Sequence, residues 1–134
     1  MHKLVLFTIL LVSLLLAACG AKQADIAIES TKFDFGDVVN GVIVSRDLTV
    51  RNTGESDLVV GSVVTTCGCT SATLEPMTIP AGSEAALHIS FDSGAHGPHL
   101  TGEVMRRVII SSNDPDTPEA TVDFVANILA PESQ

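Results

Sequence analysis

From Ile26 onward, apolar and polar residues alternate with a period of two. The apolar positions are Ile26 and Ile28, then Val42, Val44, Leu48 and Val50, then Leu87, Ile89 and Phe91, then Val104, Val108 and Ile110, then Val122, Phe124, Ala126 and Ile128. Successive side chains of a strand point to opposite faces, so this pattern predicts strands that each bury one face. Leu58 to Val64 is a nearly continuous β-branched run that predicts a central strand, and Met77 to Ile79 predicts a short one before a turn. Asn40-Gly41, Asn52-Thr53-Gly54, Pro80-Ala81-Gly82, Gly94 to Gly97 and Asn113-Asp114-Pro115 separate these runs. Such residues tolerate positive φ or fix it near −65°, and so punctuate strands. No stretch sustains a helical period. About seven strands in one domain, over residues 26–130, predict an antiparallel β-sandwich of immunoglobulin-like type. The Cys…Trp…Cys core of true immunoglobulin domains is absent, since the chain has no Trp.

The N-terminus follows a different rule. After Met1-His2-Lys3, the run Leu4 to Leu16 is broken only by Thr8 and Ser13. It is too short to span a bilayer, which takes roughly twenty apolar residues, and it has the form of a signal peptide. Leu16-Ala17-Ala18-Cys19 resembles the lipobox of bacterial lipoproteins, in which the Cys is acylated, by palmitate for example, and the chain is cut just before it. The expectation is a signal peptide over 1–18, a lipidated Cys19 with a short tether over 19–25, and a tail over 131–134. Lipid on Cys19 would hold the protein to a membrane. Gly20 stands where an Asp often retains enteric lipoproteins at the inner membrane, which favours the periplasmic face of the outer membrane in a Gram-negative host.

Seven basic against sixteen acidic residues give a net charge of −9, which repels nucleic acid rather than binding it. A domain of this length buries enough surface to fold without a disulfide or metal. The two cysteines left after lipidation, in Cys67-Gly68-Cys69-Thr70, are therefore free for another purpose. They could close a disulfide across a bend that Gly68 permits; so small a ring removes little chain entropy. Alternatively, as thiolates they could grip Cu(I) or Zn(II), with His96 and His99 as further ligands and Met77 and Met105 as weaker thioether options. A purely structural turn is the third reading. His88, between Leu87 and Ile89, is expected on the solvent face. Arg106, on the side of Val104 and Val108, is expected near an edge or beside an acid. Asp114 and Asp116, around Pro115, read as a solvated turn rather than a calcium site. No phosphate loop, zinc-protease helix or nucleophile elbow is present, and no activating group stands beside the Cys pair in sequence. An enzyme is therefore not expected.

Phe33-Asp34-Phe35-Gly36-Asp37-Val38, Asn52-Thr53-Gly54, Cys67-Gly68-Cys69-Thr70, Ile79-Pro80-Ala81-Gly82, Ile89-Ser90-Phe91-Asp92 and Ser112-Asn113-Asp114-Pro115, in this order, resemble a bacterial domain-of-unknown-function family with a CGCT signature. The resemblance implies an immunoglobulin-like sandwich of the ASH/Hydin type, frequently exported and often a lipoprotein. It makes Cys67 and Cys69 part of a signature, whereas His96 and His99 fall in a linker that the pattern does not specify. The resulting expectation is a lipid-anchored, non-enzymatic protein-binding or scaffold module that docks an envelope protein. The alternative is a soft-metal or redox lipoprotein built on Cys67 and Cys69.

Overall fold

The computed structural model describes residues 22–131, so the expected signal peptide, Cys19 and the last three residues of the expected tail lie outside the described residues. Nine strands follow one another: β1 (Ile26–Ile28), β2 (Lys32–Val39), β3 (Ile43–Asn52), β4 (Leu58–Thr65), β5 (Thr70–Glu75), β6 (Thr78–Ile79), β7 (Glu84–Asp92), β8 (Gly102–Ser112) and β9 (Glu119–Leu129). They form two sheets, ordered β1-β3-β7-β5 and β2-β9-β8-β4-β6. Every connection from β1 to β8 crosses between the sheets, and only β8 and β9 are consecutive neighbours within one. The immunoglobulin-like sandwich expected from the alternation is the fold observed. Its inner faces carry Val50, Leu87, Ile89, Phe91, Val108, Ile110, Val122, Phe124 and Ile128, each at most 1% exposed. Burying one such side chain contributes about 1.5–3 kcal/mol.

Three details depart from the sequence pattern. Nine strands stand where about seven are expected; β2 and β5 are the additions. In β2 the alternation of Phe33 and Phe35 is interrupted by Gly36-Asp37, where the register with β9 shifts, and in β5 the inward positions are Thr70, Ala72 and Leu74, only one of them a large apolar residue. The β2–β9 pairing is parallel, while the remaining pairings are antiparallel. Finally, β4 is a central strand as expected, between β8 and β6, but its nearly continuous apolar run buries only one face. It lies next to the two-residue edge strand β6, and Val59 and Val64 on its outer face are exposed.

The chain enters at one end of the sandwich, and polar side chains fasten it there. Asn52, fully buried, donates through its amide to the carbonyls of Ser56 and Ile79, while its side-chain oxygen accepts from the backbone N–H groups of Asp25 and Gly54. Gly54 lies so close to the incoming segment that a Cβ there would meet backbone atoms of Gln23, Ala24 and Asp25. Asp114 is 1% exposed rather than solvated as the sequence suggested. Its carboxylate accepts from the N–H groups of Ile26 (2.9 Å), Asp116 (2.8 Å) and Thr117 (3.0 Å). Burial alone would push this carboxyl up, but the three N–H donors outweigh it and hold it below its ordinary value.

Candidate functional site

At the opposite end, β4 passes to β5 across the gap between the sheets, and Cys67-Gly68-Cys69 forms the corner. The Thr65 hydroxyl lies within hydrogen-bond distance of the carbonyls of Cys67 (3.1 Å) and Thr70 (2.9 Å), and the Thr70 N–H donates to Cys67 at 3.1 Å. These bonds, rather than a left-handed glycine, make the bend, since Gly68 is absent from the positive-φ glycines. With Cα atoms 5.2 Å apart, Cys67 and Cys69 are joined as a disulfide. Cys69 is buried and Cys67 half-buried.

The β7–β8 connection brings His96 to this corner. Asn40 donates its side-chain amide to the carbonyls of Gly97 and Leu100, both at 2.9 Å. The buried Ser93 hydroxyl bridges the β2–β3 turn through Val39 and Val42. Gly94 packs so tightly against Gly41 that a Cβ would come within 2.8 Å of its Cα. Held in this way, the loop sets His96 Nε2 3.2 Å from Cys67 Sγ. One ligand atom each from Cys67, Cys69 and His96 falls within 4.8 Å of the others, the one such cluster of His, Cys, Asp or Glu found among the described residues. His99 is not part of it. Met77 lies away from the corner, beyond the other end of β5, whereas Met105 lines a shallow groove with Thr66, Arg106, Arg107 and Asp123 beside the corner.

Arg106 completes the site, and it is the member that sequence reasoning missed. Its strand β8 is the middle strand of its sheet, not an edge, and the partner of Arg106 is a sulfur, not an acid. β4 stops at Thr65, opposite Val108, so the inward-facing Arg106 lies beyond its neighbour's end at the mouth of the sandwich. From there its Nε donates to Cys69 Sγ at 3.1 Å. The alternation Val104, Arg106, Val108 was the available signal: a cation on the inner face demands a partner. Cys67 Sγ also accepts the N–H of Cys69 at 3.2 Å, and the Thr70 hydroxyl is 3.7 Å from Cys69 Sγ.

The remaining polar candidates belong to the surface. His88 is exposed, as expected from its place in β7, and lies 2.6 Å from Asp47. Arg107 donates to both oxygens of Asp123, at 2.6 and 2.8 Å. The hydrogen bond from Arg107, more than its charge, holds the Asp123 carboxyl below its ordinary value against a smaller upward push from burial.

Chemically, the closed disulfide offers no thiolate to a metal ion. Once reduced, it would present two sulfurs beside an imidazole and a guanidinium, groups that stabilise thiolates. No activating group stands beside the Cys pair in sequence, but the fold brings His96 and Arg106 to it from distant parts of the chain.

Solved structures with this architecture include a protein of unknown function from Porphyromonas gingivalis W83, 23% identical with a TM-score of 0.69, where the likeness covers 83% of this chain and 50% of that one. This chain thus spans about half the length of that protein. The ASH / PapD-like domain of human CEP192 (PapD-like domain 7) is 13% identical, with a TM-score of 0.56 over 84% of this chain and 89% of that domain. The E. coli chaperone DraB is 12% identical, with a TM-score of 0.56 over 82% and 58%. At these identities the likeness shows the fold alone. No curated protein matches the sequence. Residues 26–128, from the first strand to the last, match the family described as "Protein of unknown function (DUF1573)", and the chain belongs to that family.

Proposed function

We propose that this protein is a lipid-anchored, non-enzymatic binding module of the bacterial cell envelope, and that it engages a partner protein with the end of the sandwich opposite its anchor. The observation that carries this reading is the polarity of the fold. Gln23 and Asp25, the approach from Cys19, are hydrogen-bonded to Thr53, Glu55 and Ser56 at one end. Val39, Val42, Ile43 and Leu129 are exposed at the other, Ile43 to 65%. A β3 of ten residues spans roughly 33 Å, so an anchor at Cys19 would hold this apolar rim about that far from the bilayer. A partner with an apolar centre and a basic surround suits a rim carried by a chain of net charge −9. In a Gram-negative host, the periplasmic face of the outer membrane is the proposed location.

The test has two parts. Full-length protein should fractionate with membranes and Cys19→Ala should not; equal partitioning would sink the anchor. A photo-crosslinking residue at Ile43 should capture a discrete species in cells that one at Glu55 does not, and capture confined to Glu55 would reverse the orientation.

A second reading has its own observation, the closeness of Cys67, Cys69 and His96. After reduction this trio would suit a soft cation, Cu(I) or Zn(II), with His96 rather than His99 as the nitrogen ligand. Arg106, donating to one of the sulfurs, opposes a cation there. Uptake of one equivalent by the reduced wild type, lost in Cys67→Ser/Cys69→Ser, would favour this reading.

A further inference from the structure

We propose that Cys67–Cys69 is an exchange-active disulfide that accepts two electrons from an external dithiol, with Cys67 as the sulfur attacked and Cys69 as the thiolate expelled. The inference stands apart from the binding reading, because it concerns what the sulfurs do rather than what the rim holds. Four observations carry it. The two sulfurs differ in access: Cys69 is buried and Cys67 half-exposed at the corner, so an incoming thiolate reaches Cys67 first. The sulfur that must leave is the one beside a fixed cation, since Arg106 Nε donates to Cys69 Sγ at 3.1 Å, with the Thr70 hydroxyl 3.7 Å away. The sulfur attacked has its own stabilisers for later, the Cys69 N–H and His96 Nε2, both at 3.2 Å. Finally, the ring closed by the bond spans two peptide units, so the fold gains little from keeping it shut.

The chemistry balances as thiol–disulfide exchange. A thiolate of the external dithiol attacks Cys67 Sγ; a mixed disulfide forms, the Cys67–Cys69 bond breaks, and its electron pair leaves on Cys69 Sγ, against the Arg106 guanidinium. The second thiolate of the dithiol then attacks its own sulfur in the mixed disulfide and expels the Cys67 thiolate, which His96 and the Cys69 N–H receive. Two protons from the spent dithiol or the solvent complete the two thiols. The external dithiol is oxidised to a disulfide, and this chain is reduced by two electrons.

Arg106 also separates this use of the sulfurs from metal binding, because a guanidinium on Cys69 Sγ favours a departing anion and disfavours a second cation. A charge this close stabilises the departing thiolate, and a more stable leaving thiolate departs faster, so it alters the exchange rate by about threefold to thirtyfold.

The test uses the oxidised full-length protein in detergent, with dithiothreitol as the dithiol and maleimide trapping read by mass spectrometry. The pair should open without urea. Arg106→Met should slow opening by about threefold to thirtyfold, and Arg106→Lys, which keeps the charge, should recover most of the rate. With glutathione as a monothiol, the mixed disulfide trapped on the oxidised wild type should map to Cys67, with Cys69 as the free thiol. Opening only after urea is added, an Arg106→Met rate equal to wild type in a protein of unchanged circular dichroism, or an adduct on Cys69 would each overturn the proposal. So would retention of one Zn(II) by the reduced wild type through gel filtration, lost in His96→Ala, which would assign the sulfurs to a metal.

Discussion

Replacing Asp114 by Asn tests whether the entry of the chain is fastened by charge. The carboxylate accepts from Ile26 on one oxygen and from Asp116 and Thr117 on the other. In the amide, one oxygen can still serve Asp116 and Thr117, but the NH2 group then faces the Ile26 N–H, donor against donor. Losing one charge-assisted hydrogen bond costs about 1.5–3 kcal/mol, and the two that remain weaken with the loss of charge, so the variant should be less stable by about 2–4 kcal/mol at neutral pH. The pH dependence has a definite sign. The folded-state carboxyl lies below its ordinary value, so its contribution is complete above the unfolded pKa of about 3.9 and is lost as pH falls through the folded value. The gap between wild type and Asp114→Asn should therefore hold from neutral pH down to about pH 5 and shrink below about pH 4. Asp123 shifts in the same direction, but it is present in both proteins and cancels in the difference. Urea titrations at a series of pH values, with midpoint and slope fitted at each, measure the gap. A neutral-pH gap under about 0.5 kcal/mol, or one that stays constant into the acid range, would refute the reasoning.

Three further outcomes follow from the same geometry. Asn52→Ala should cost about 2–4 kcal/mol in urea unfolding, because it strips the buried carbonyl of Ile79 and the N–H of Gly54 of their partners. Gly54→Ala should destabilise by more than the ordinary loss of a few tenths for a surface change and should loosen Lys22–Ile26 to hydrogen exchange, since its Cβ would meet backbone rather than a flexible side chain. Cys67→Ser/Cys69→Ser should lower stability by no more than about 1.5 kcal/mol; a larger loss by calorimetry would show the bond to be a staple.

How far the sequence could be read depended on whether a feature was local. The alternations at Leu87, Ile89 and Phe91 and at Val122, Phe124, Ala126 and Ile128 marked β7 and β9, because burial on one face writes period two directly into the chain. β5 was invisible for the same reason reversed. An edge strand with Thr70 and Ala72 at two of its three inward positions needs little apolar surface and leaves little pattern. The runs around Asn52 and Asp114 were recognised as turns, but a turn residue and a buried knot share one signature, and only the fold shows which carbonyls and N–H groups they meet. The Cys pair was legible from spacing, and His96 and His99 from their chemistry as candidate partners, but that His96 and not His99 reaches the pair, and that Arg106 joins it, was not, since His96 lies 29 residues from Cys67 and Arg106 lies 37 from Cys69.

The two ends of the sandwich divide stability and chemistry between them. At the entry end, Asn52, Gly54 and Asp114 tie down backbone that would otherwise leave unpaired groups buried, and any change there is felt by the whole fold. At the far end, the Cys corner hangs between strands of different sheets, with an exposed histidine and an arginine standing past the end of β4. Cys69 is buried with the core and Cys67 packs against it, but the bond joins positions only two apart, so opening it releases no long loop. Had the disulfide instead joined β4 to a strand distant in sequence, opening it would have released a long loop and been costly. Placing the pair two residues apart on a sheet-to-sheet crossing therefore decouples its oxidation state from folding, which is what a group that cycles between disulfide and dithiol requires.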